Sequence, residues 1–195
     1  VVITYLFQKF HIKMVPFKKL NFKHQLSFDN SFIKELKIRY GDEKNNLFYG
    51  IEYWLLNNNY YFDQVKKKLP IIDKNFTLYF MNITSKTILP HTDSGQKTVI
   101  NFYFNTNNCI TQFYSINPFA VQSSVKWQQR NDGQVFTSGI TPSYEFTAQL
   151  GDVYILDVST PHSVVCDTCY PPRSALCFGT NLYTFTELCE IINEY

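Results

Sequence analysis

The sequence predicts a mainly β fold, a sandwich or double-sheet jelly roll with N-terminal helices packed on one sheet. Three observations carry this. The 195 residues include 18 Phe and 14 Tyr, while charged residues make up only 17%; aromatic side chains suit half-buried pleated surfaces. After Pro70 short apolar runs recur between turn residues. Before Pro70 the apolar residues take a helical spacing instead.

In chain order, Ser31 can cap a helix over Phe32 to Arg39, although Phe32-Ile33, Leu36 and Ile38 also fit a strand. Leu47, Ile51, Trp54 and Leu55 share one helical face, and Tyr60 to Leu69 reads as a second helix stopped by Pro70. The strands that follow are Phe76 to Ile83, Thr98 to Phe104, Ile110 to Tyr114, Gln134 to Thr137, Tyr144 to Ala148, Val153 to Val158, Ser163 to Cys166 and Ser174 to Thr180. Asn107-Asn108, Asn131-Asp132-Gly133 and Gly151-Asp152 mark turns between them. Strands at this spacing suit a sandwich or jelly roll. Thr186 to Glu190 and beyond reads as a closing helix. No linker interrupts the chain, so residues 1–195 are expected as a single domain. Residues 1–70 form its helical or mixed buttress, 71–183 its jelly-roll core and 184–195 its closing segment.

The net charge is +2, and lysines are concentrated before residue 70, as in Lys18-Lys19 and Lys66-Lys67-Lys68; they describe a solvated face, without the denser clustering on one element that a nucleic-acid groove shows, so nucleic-acid binding is not indicated. Five cysteines fall late in the chain, at 109, 166, 169, 177 and 189. They read as reduced thiols, and Cys166-Asp-Thr-Cys169 as a coincidental CxxC without a second pair to complete a zinc site. No run is long enough for a membrane helix, and Val1 to Phe7 lacks the flanks of a signal peptide. A soluble protein of the cytoplasm, that of the host cell if virus-encoded, is expected. The sequons Asn75-Phe-Thr77 and Asn82-Ile-Thr84 are expected by chance within a core strand.

One constellation carries chemistry. His91 and Asp93 are one residue apart, so in extended backbone both project to the same side. His162 lies 71 positions further on, directly after Pro161. Two imidazoles and one carboxylate leave three octahedral positions of a metal open. HxD alone is a weak signal, but Asp93 precedes an alternating strand and His162 follows another, Gly151 to Asp157. Arg173 opens the strand Ser174 to Thr180, so its guanidinium, always charged, lies inside the predicted barrel and requires an anionic partner. Each residue also has an ordinary reading: a turn or core histidine, an Asx-turn aspartate, or an arginine bridged to Asp152 or Asp157.

In order and spacing, His91-x-Asp93, His162 and Arg173 resemble the HxD…H…R signature of the Fe(II)/2-oxoglutarate dioxygenase superfamily over residues 76 to 180. The nearest resemblance is to the prolyl-hydroxylase-like branch and its compact phage-encoded members. It implies a double-stranded β-helix, the cupin-like form of the jelly roll, with His91, Asp93 and His162 as ligands of Fe(II). It further implies that Arg173 holds the distal carboxylate of 2-oxoglutarate, with O2 as second co-substrate. Arg173-Ser174-Ala175 lacks the serine of an Arg-x-Ser pair, and Tyr103 matches the strand tyrosine that serves instead in this branch.

The implied reaction is hydroxylation of a substrate C–H, first of a peptidyl side chain such as proline, with succinate and CO2 as co-products. A free amino acid, another small metabolite or a nucleobase is the alternative substrate; a cupin-like binding module or structural jelly roll is the alternative without enzymatic activity. Tyr79, Phe102 and Phe113 are candidates for a dry pocket wall, with core packing the ordinary role of each, and the loop Ser115 to Asp132, with Trp127 and Arg130, would cover the site. Gln96-Lys97 receives no role, and the oligomeric state is left open.

Overall fold

A computed structural model describes residues 14–28, 37–42, 47–56, 59–93, 95–127, 130–168 and 170–193. Eleven strands and two helices follow in order: β1 (Phe17–Lys23), β2 (Lys37–Asp42), β3 (Leu47–Leu55), α1 (Asn59–Lys66), β4 (Thr77–Ile83), β5 (Thr87–Asp93), β6 (Thr98–Asn105), β7 (Ile110–Trp127), β8 (Arg130–Thr147), β9 (Asp152–Asp157), β10 (His162–Val165), β11 (Arg173–Thr180) and α2 (Phe185–Asn193). One sheet has the order β1-β9-β6-β11-β4-β3-β2, and the other closes as β10-β5-β8-β7. From β4 to β11 the chain passes back and forth between the two sheets, which is the double-stranded β-helix form of the jelly roll. Strands β1, β3 and β2 extend the larger sheet beyond that core.

Alternation along the strands of the larger sheet builds two cores. Leu78 and Phe80 of β4, Ile100 and Phe102 of β6, and Leu176 and Phe178 of β11 face outward, where Tyr61 and Val65 of α1 and Phe185 and Leu188 of α2 cover them. Tyr79, Met81, Val99, Tyr103, Ala175 and Cys177 face inward between the sheets. α1 and α2 are therefore the helices expected near residues 60–69 and after Thr186. The other helical expectation fails. Residues 47–55 are a strand, antiparallel to β2 and β4. Of the expected helix over 32–39, Lys37 to Arg39 belong to a strand, and the rest lies outside the described residues. Among its described residues the buttress is thus mostly sheet, where apolar side chains are buried by extending an existing sheet edge.

The smaller sheet closes through the β7–β8 hairpin. Near its base β7 pairs with β10, matching Phe113 with His162. Towards its tip Gly133, Gln134 and Val135 of β8 pair with Asp93, Thr92 and His91 of β5. Between these contacts the register slips from Ile116–Ile140 to Val121–Ser138, so several residues of β7 oppose Gly139 and the hairpin arches over. Gly139 has φ +74°, and a Cβ there would lie 2.3 Å from Ala120 Cα. At Gly133, φ is +137° and a Cβ would fall 1.8 Å from the Thr92 carbonyl oxygen. Both positions therefore require glycine. The segment expected as a loop over Ser115 to Asp132 is part of this hairpin.

Three further expectations change. Cys109 and Cys166 form a disulfide rather than reduced thiols. They flank the paired residues Ile110 and Val165, so the fold brings together cysteines 57 positions apart. The expectation of a cytoplasmic location rested in part on reduced thiols and loses that part of its support. Cys177 and Cys189 are free and buried, and Cys169 lies outside the described residues. Asn75 sits in an exposed turn rather than in a strand, whereas Asn82 lies within the ladders between β3, β4 and β11. Among the described residues no helix is long and apolar enough to cross a membrane.

Candidate metal centre and its pocket

His91 and His162 are register partners across β5 and β10, and their ring centroids lie 4.4 Å apart. Asp93, two residues along β5, brings its Oδ1 to 3.7 Å from His91 Nε2. One ligand atom from each of His91, Asp93 and His162 lies within 4.8 Å of the others. Backbone hydrogen bonds fix the strand ends that carry them: Asp93 N–H to Val158 O at 3.0 Å, Val158 N–H to Lys97 O at 3.1 Å, and Tyr114 N–H to Pro161 O at 2.9 Å.

The imidazoles are oriented as metal ligands require. His91 Nδ1 is 2.8 Å from Leu89 O, and His162 Nδ1 is 3.0 Å from Thr160 O. A carbonyl only accepts, so each Nδ1 carries the proton and each Nε2 keeps its lone pair for a metal. Burial pushes the His162 pKa down to about 3, helped by the neighbouring His91 and Arg173 and opposed by the bond to Thr160. Its ring is therefore neutral at pH 7, the form that binds a metal.

The same cavity between the sheets is lined by this triad and by Arg173, Tyr103 and Thr111. Arg173 is only 2% exposed. Its Nη2 donates to Tyr103 Oη and to Thr111 Oγ1, both at 2.7 Å, and its Cζ lies 4.8 Å from the Tyr103 ring centroid. Nε and Nη1 are buried and have no acceptor among the described residues. The two aspartates that could have neutralised it are engaged elsewhere. Asp152 accepts from Lys19 Nζ at 2.7 Å and from Gln149 N–H at 2.9 Å, while Asp157 accepts from Ser159 N–H and Thr160 Oγ1. Asn101 Nδ2 donates to Tyr103 Oη at 3.3 Å. With both lone pairs of Tyr103 engaged, its own hydroxyl proton remains to be donated, as does that of Thr111. A buried cation ringed by unused donors fits an anion, and its planar fork suits a carboxylate.

All five site residues singled out in the sequence thus line one cavity. Thr111 and Asn101 are two polar lining residues not expected from the sequence. Asn101 had a signal, as a polar residue at an inward position of an alternating strand; Thr111 had none. Of the expected aromatic wall, Tyr79 lines the cavity and Phe113 lies 5.8 Å from the His162 ring. Phe102 faces outward into the helix-covered core, because the register of β6 places it opposite in direction to Tyr103.

No protein-family model matches this chain, and no curated protein matches it by sequence. Solved structures with a similar chain path include vicilin from hazelnut (Corylus avellana), 14% identical over 77% of this chain and 32% of its own, with a TM-score of 0.42. Another is ycfD from E. coli, 11% identical over 72% of this chain and 36% of its own, with a TM-score of 0.44. A third is HEPD from Streptomyces albus with 2-hydroxyethylphosphonate and Fe(II) bound, 9% identical over 74% of this chain and 24% of its own, with a TM-score of 0.38. This chain thus spans about a third or less of each.

Proposed function

We propose that this protein is an Fe(II)- and 2-oxoglutarate-dependent oxygenase. The observation that carries the reading is Arg173, a buried guanidinium with two unused donors in the cavity lined by His91, Asp93 and His162. A metal site alone would not require that cation, and a structural jelly roll would have little reason to leave it unpaired. In this reading His91, Asp93 and His162 hold the iron and leave positions open for the co-substrates. Arg173, with the hydroxyls of Tyr103 and Thr111, binds the distal carboxylate and orients 2-oxoglutarate in the cavity. Iron, 2-oxoglutarate and O2 together supply the oxidising chemistry for hydroxylation of a C–H bond, with succinate and CO2 as co-products. Met81, Val99, Leu156 and Val164 keep the cavity dry, which strengthens the charge contacts within it. A peptidyl side chain such as proline is the substrate that the sequence resemblance favours.

The test is Arg173→Lys. It keeps the charge but loses the planar fork and some reach. Affinity for 2-oxoglutarate should fall roughly 30- to 1000-fold, the equivalent of about 2–4 kcal/mol. Affinity for Fe(II), titrated anaerobically, should be nearly unchanged because Arg173 is not a ligand. Unaltered 2-oxoglutarate affinity would make Arg173 a structural residue and end the co-substrate reading.

A further inference from the structure

Gln96 follows Asp93 by three residues, in the turn leading into β6. Lys97 N–H pins this turn to Thr180 O at 2.9 Å, and the Gln96 side chain is seated against β11. Tyr79, on the inward face of β4, donates its hydroxyl to Gln96 Oε1 at 2.9 Å. Gly179 lies on the other side of the carboxamide. By strand alternation it shares the inward face of β11 with Arg173, Ala175 and Cys177. A Cβ at Gly179 would lie 2.2 Å from Gln96 Cδ and Oε1 and 2.3 Å from Nε2. Only glycine at 179 leaves room for that amide.

This seat satisfies the acceptor end of the carboxamide and leaves its donor end free. Nε2 has no acceptor among the described residues. Tyr79, which holds the amide, also lines the cavity of the triad, and Tyr53 packs edge-on against it with ring centroids 5.2 Å apart. A fixed, uncharged N–H donor beside an aromatic wall is complementary to a flat, uncharged carbonyl group such as a peptide unit.

We propose that Gln96 is a substrate-specificity residue: its Nε2 donates to a neutral amide carbonyl next to the group being oxidised, with Tyr53 and Tyr79 as the flanking wall. This rests on the reading that a substrate is oxidised at the triad, and it deepens that reading by assigning an amide-bearing, peptide-like substrate. The test uses the ¹⁵N-labelled full chain and N-acetyl-L-prolinamide, an uncharged probe with two amide carbonyls. Addition of the probe should shift the Gln96 side-chain amide resonances. Gln96→Glu fills the same seat and still accepts from Tyr79, but it has no donor. It should weaken probe binding roughly five- to tenfold, as expected for one lost hydrogen bond. Gly179→Ala, which displaces the amide, should cause a similar loss. Zwitterionic L-proline should bind more weakly than the prolinamide. An unmoved Gln96 amide, equal probe affinity in Gln96→Glu, or preference for L-proline would overturn the proposal. The Arg173→Lys titration of 2-oxoglutarate is read without the probe, so failure of the co-substrate reading is seen separately.

Discussion

Residues that alternate along β4, β6 and β11 divide between two environments. Those pointing outward, such as Phe80, Phe102 and Phe178, pack against apolar side chains of α1, α2 and neighbouring strands, with the His24 ring edge-on to Phe102. Those pointing inward include Asn101, Tyr103 and Arg173, where Arg173 Nε and Nη1 and Asn101 Oδ1 lie buried without partners among the described residues; on the outward side of these three strands only Asn82 Oδ1, near the end of β4, is likewise unpartnered among the described residues. Buried polar groups left unpaired cost stability. A fold tolerates them where another part of the molecule over-supplies stability and a ligand completes them. The outer face thus supplies most of the packing that holds the sheet, and the inner face carries the unpartnered guanidinium nitrogens.

The strongest way to break this division is to remove the cover of the outer face. A chain shortened to residues 71–195 lacks β1, β2, β3 and α1, and with them Leu20, Leu56, Tyr61, Val65 and Leu69 of the outer core. It should be insoluble or molten, without near-ultraviolet circular dichroism or a cooperative melt. A well-folded, metal-binding fragment would show that the first 70 residues are dispensable.

The next effect should fall on the inner face alone. His91→Ala or His162→Ala removes one of three ligands. Each should reduce Fe(II) affinity by more than the roughly 10- to 100-fold loss seen when only a ligand's supporting partner is removed. Turnover should vanish while the cooperative melt persists, since both histidines lie beside the cavity rather than in the outer core. Succinate production retained in both variants would dismiss the metal assignment.

Much of the inner face was legible because its chemistry is written in few residue types. The HxD pair, a histidine after a strand and an arginine opening another define the site before any contact is known. The alternation within Thr98 to Phe104 showed that this strand has two faces but not which one meets the helices, so Phe102 was expected in the pocket wall and lies in the outer core. Other parts were not legible. In β3, Ile51 and Trp54 fit a helical stripe as well as a strand, and nothing local shows that an open sheet edge awaits them. β5 has a single buried apolar residue, Ile88, and contains Pro90, so its sequence carries no strand pattern. The arched middle of the hairpin, Ile116 to Ser124, is largely exposed, so its sequence lacks a buried stripe. The Cys109–Cys166 pairing depends on the β7–β10 register, a long-range property.

Acid should separate the two faces more gently. In the metal-free protein His162 titrates near 3, below its ordinary 6.5, because protonation would place a charge in the cavity. A group with a lowered folded pKa contributes stability that is complete above the unfolded pKa and is lost as pH falls towards the folded one. The contribution of His162 should therefore be full above about pH 6.5 and decline towards pH 3, by at most about 1.4 kcal/mol per pH unit. Denaturant midpoints of wild type and His162→Asn between pH 7 and 5 measure it. Parallel pH profiles would show that His162 is not held neutral by the fold.

The smallest expected effect gives the sharpest comparison, because it uses neighbouring residues of one strand. Tyr103 faces the cavity and Phe102 the outer core. Tyr103→Phe removes an acceptor for Arg173 Nη2 and Asn101 Nδ2, together with the proton available to an anion. Thr111 still holds Arg173, so the guanidinium should stay in place. The expected loss in 2-oxoglutarate binding is about 1 kcal/mol, roughly fivefold, with Fe(II) affinity unchanged. Phe102→Leu swaps one apolar side chain for a smaller one beneath the helices. It should cost about 1–2 kcal/mol of stability through imperfect packing and leave 2-oxoglutarate affinity at the wild-type value. Paired melting and co-substrate titrations of the two variants provide the measurement. If Phe102→Leu weakened 2-oxoglutarate binding as much as Tyr103→Phe, the faces would be coupled through the strand, and the division of labour between them would be wrong.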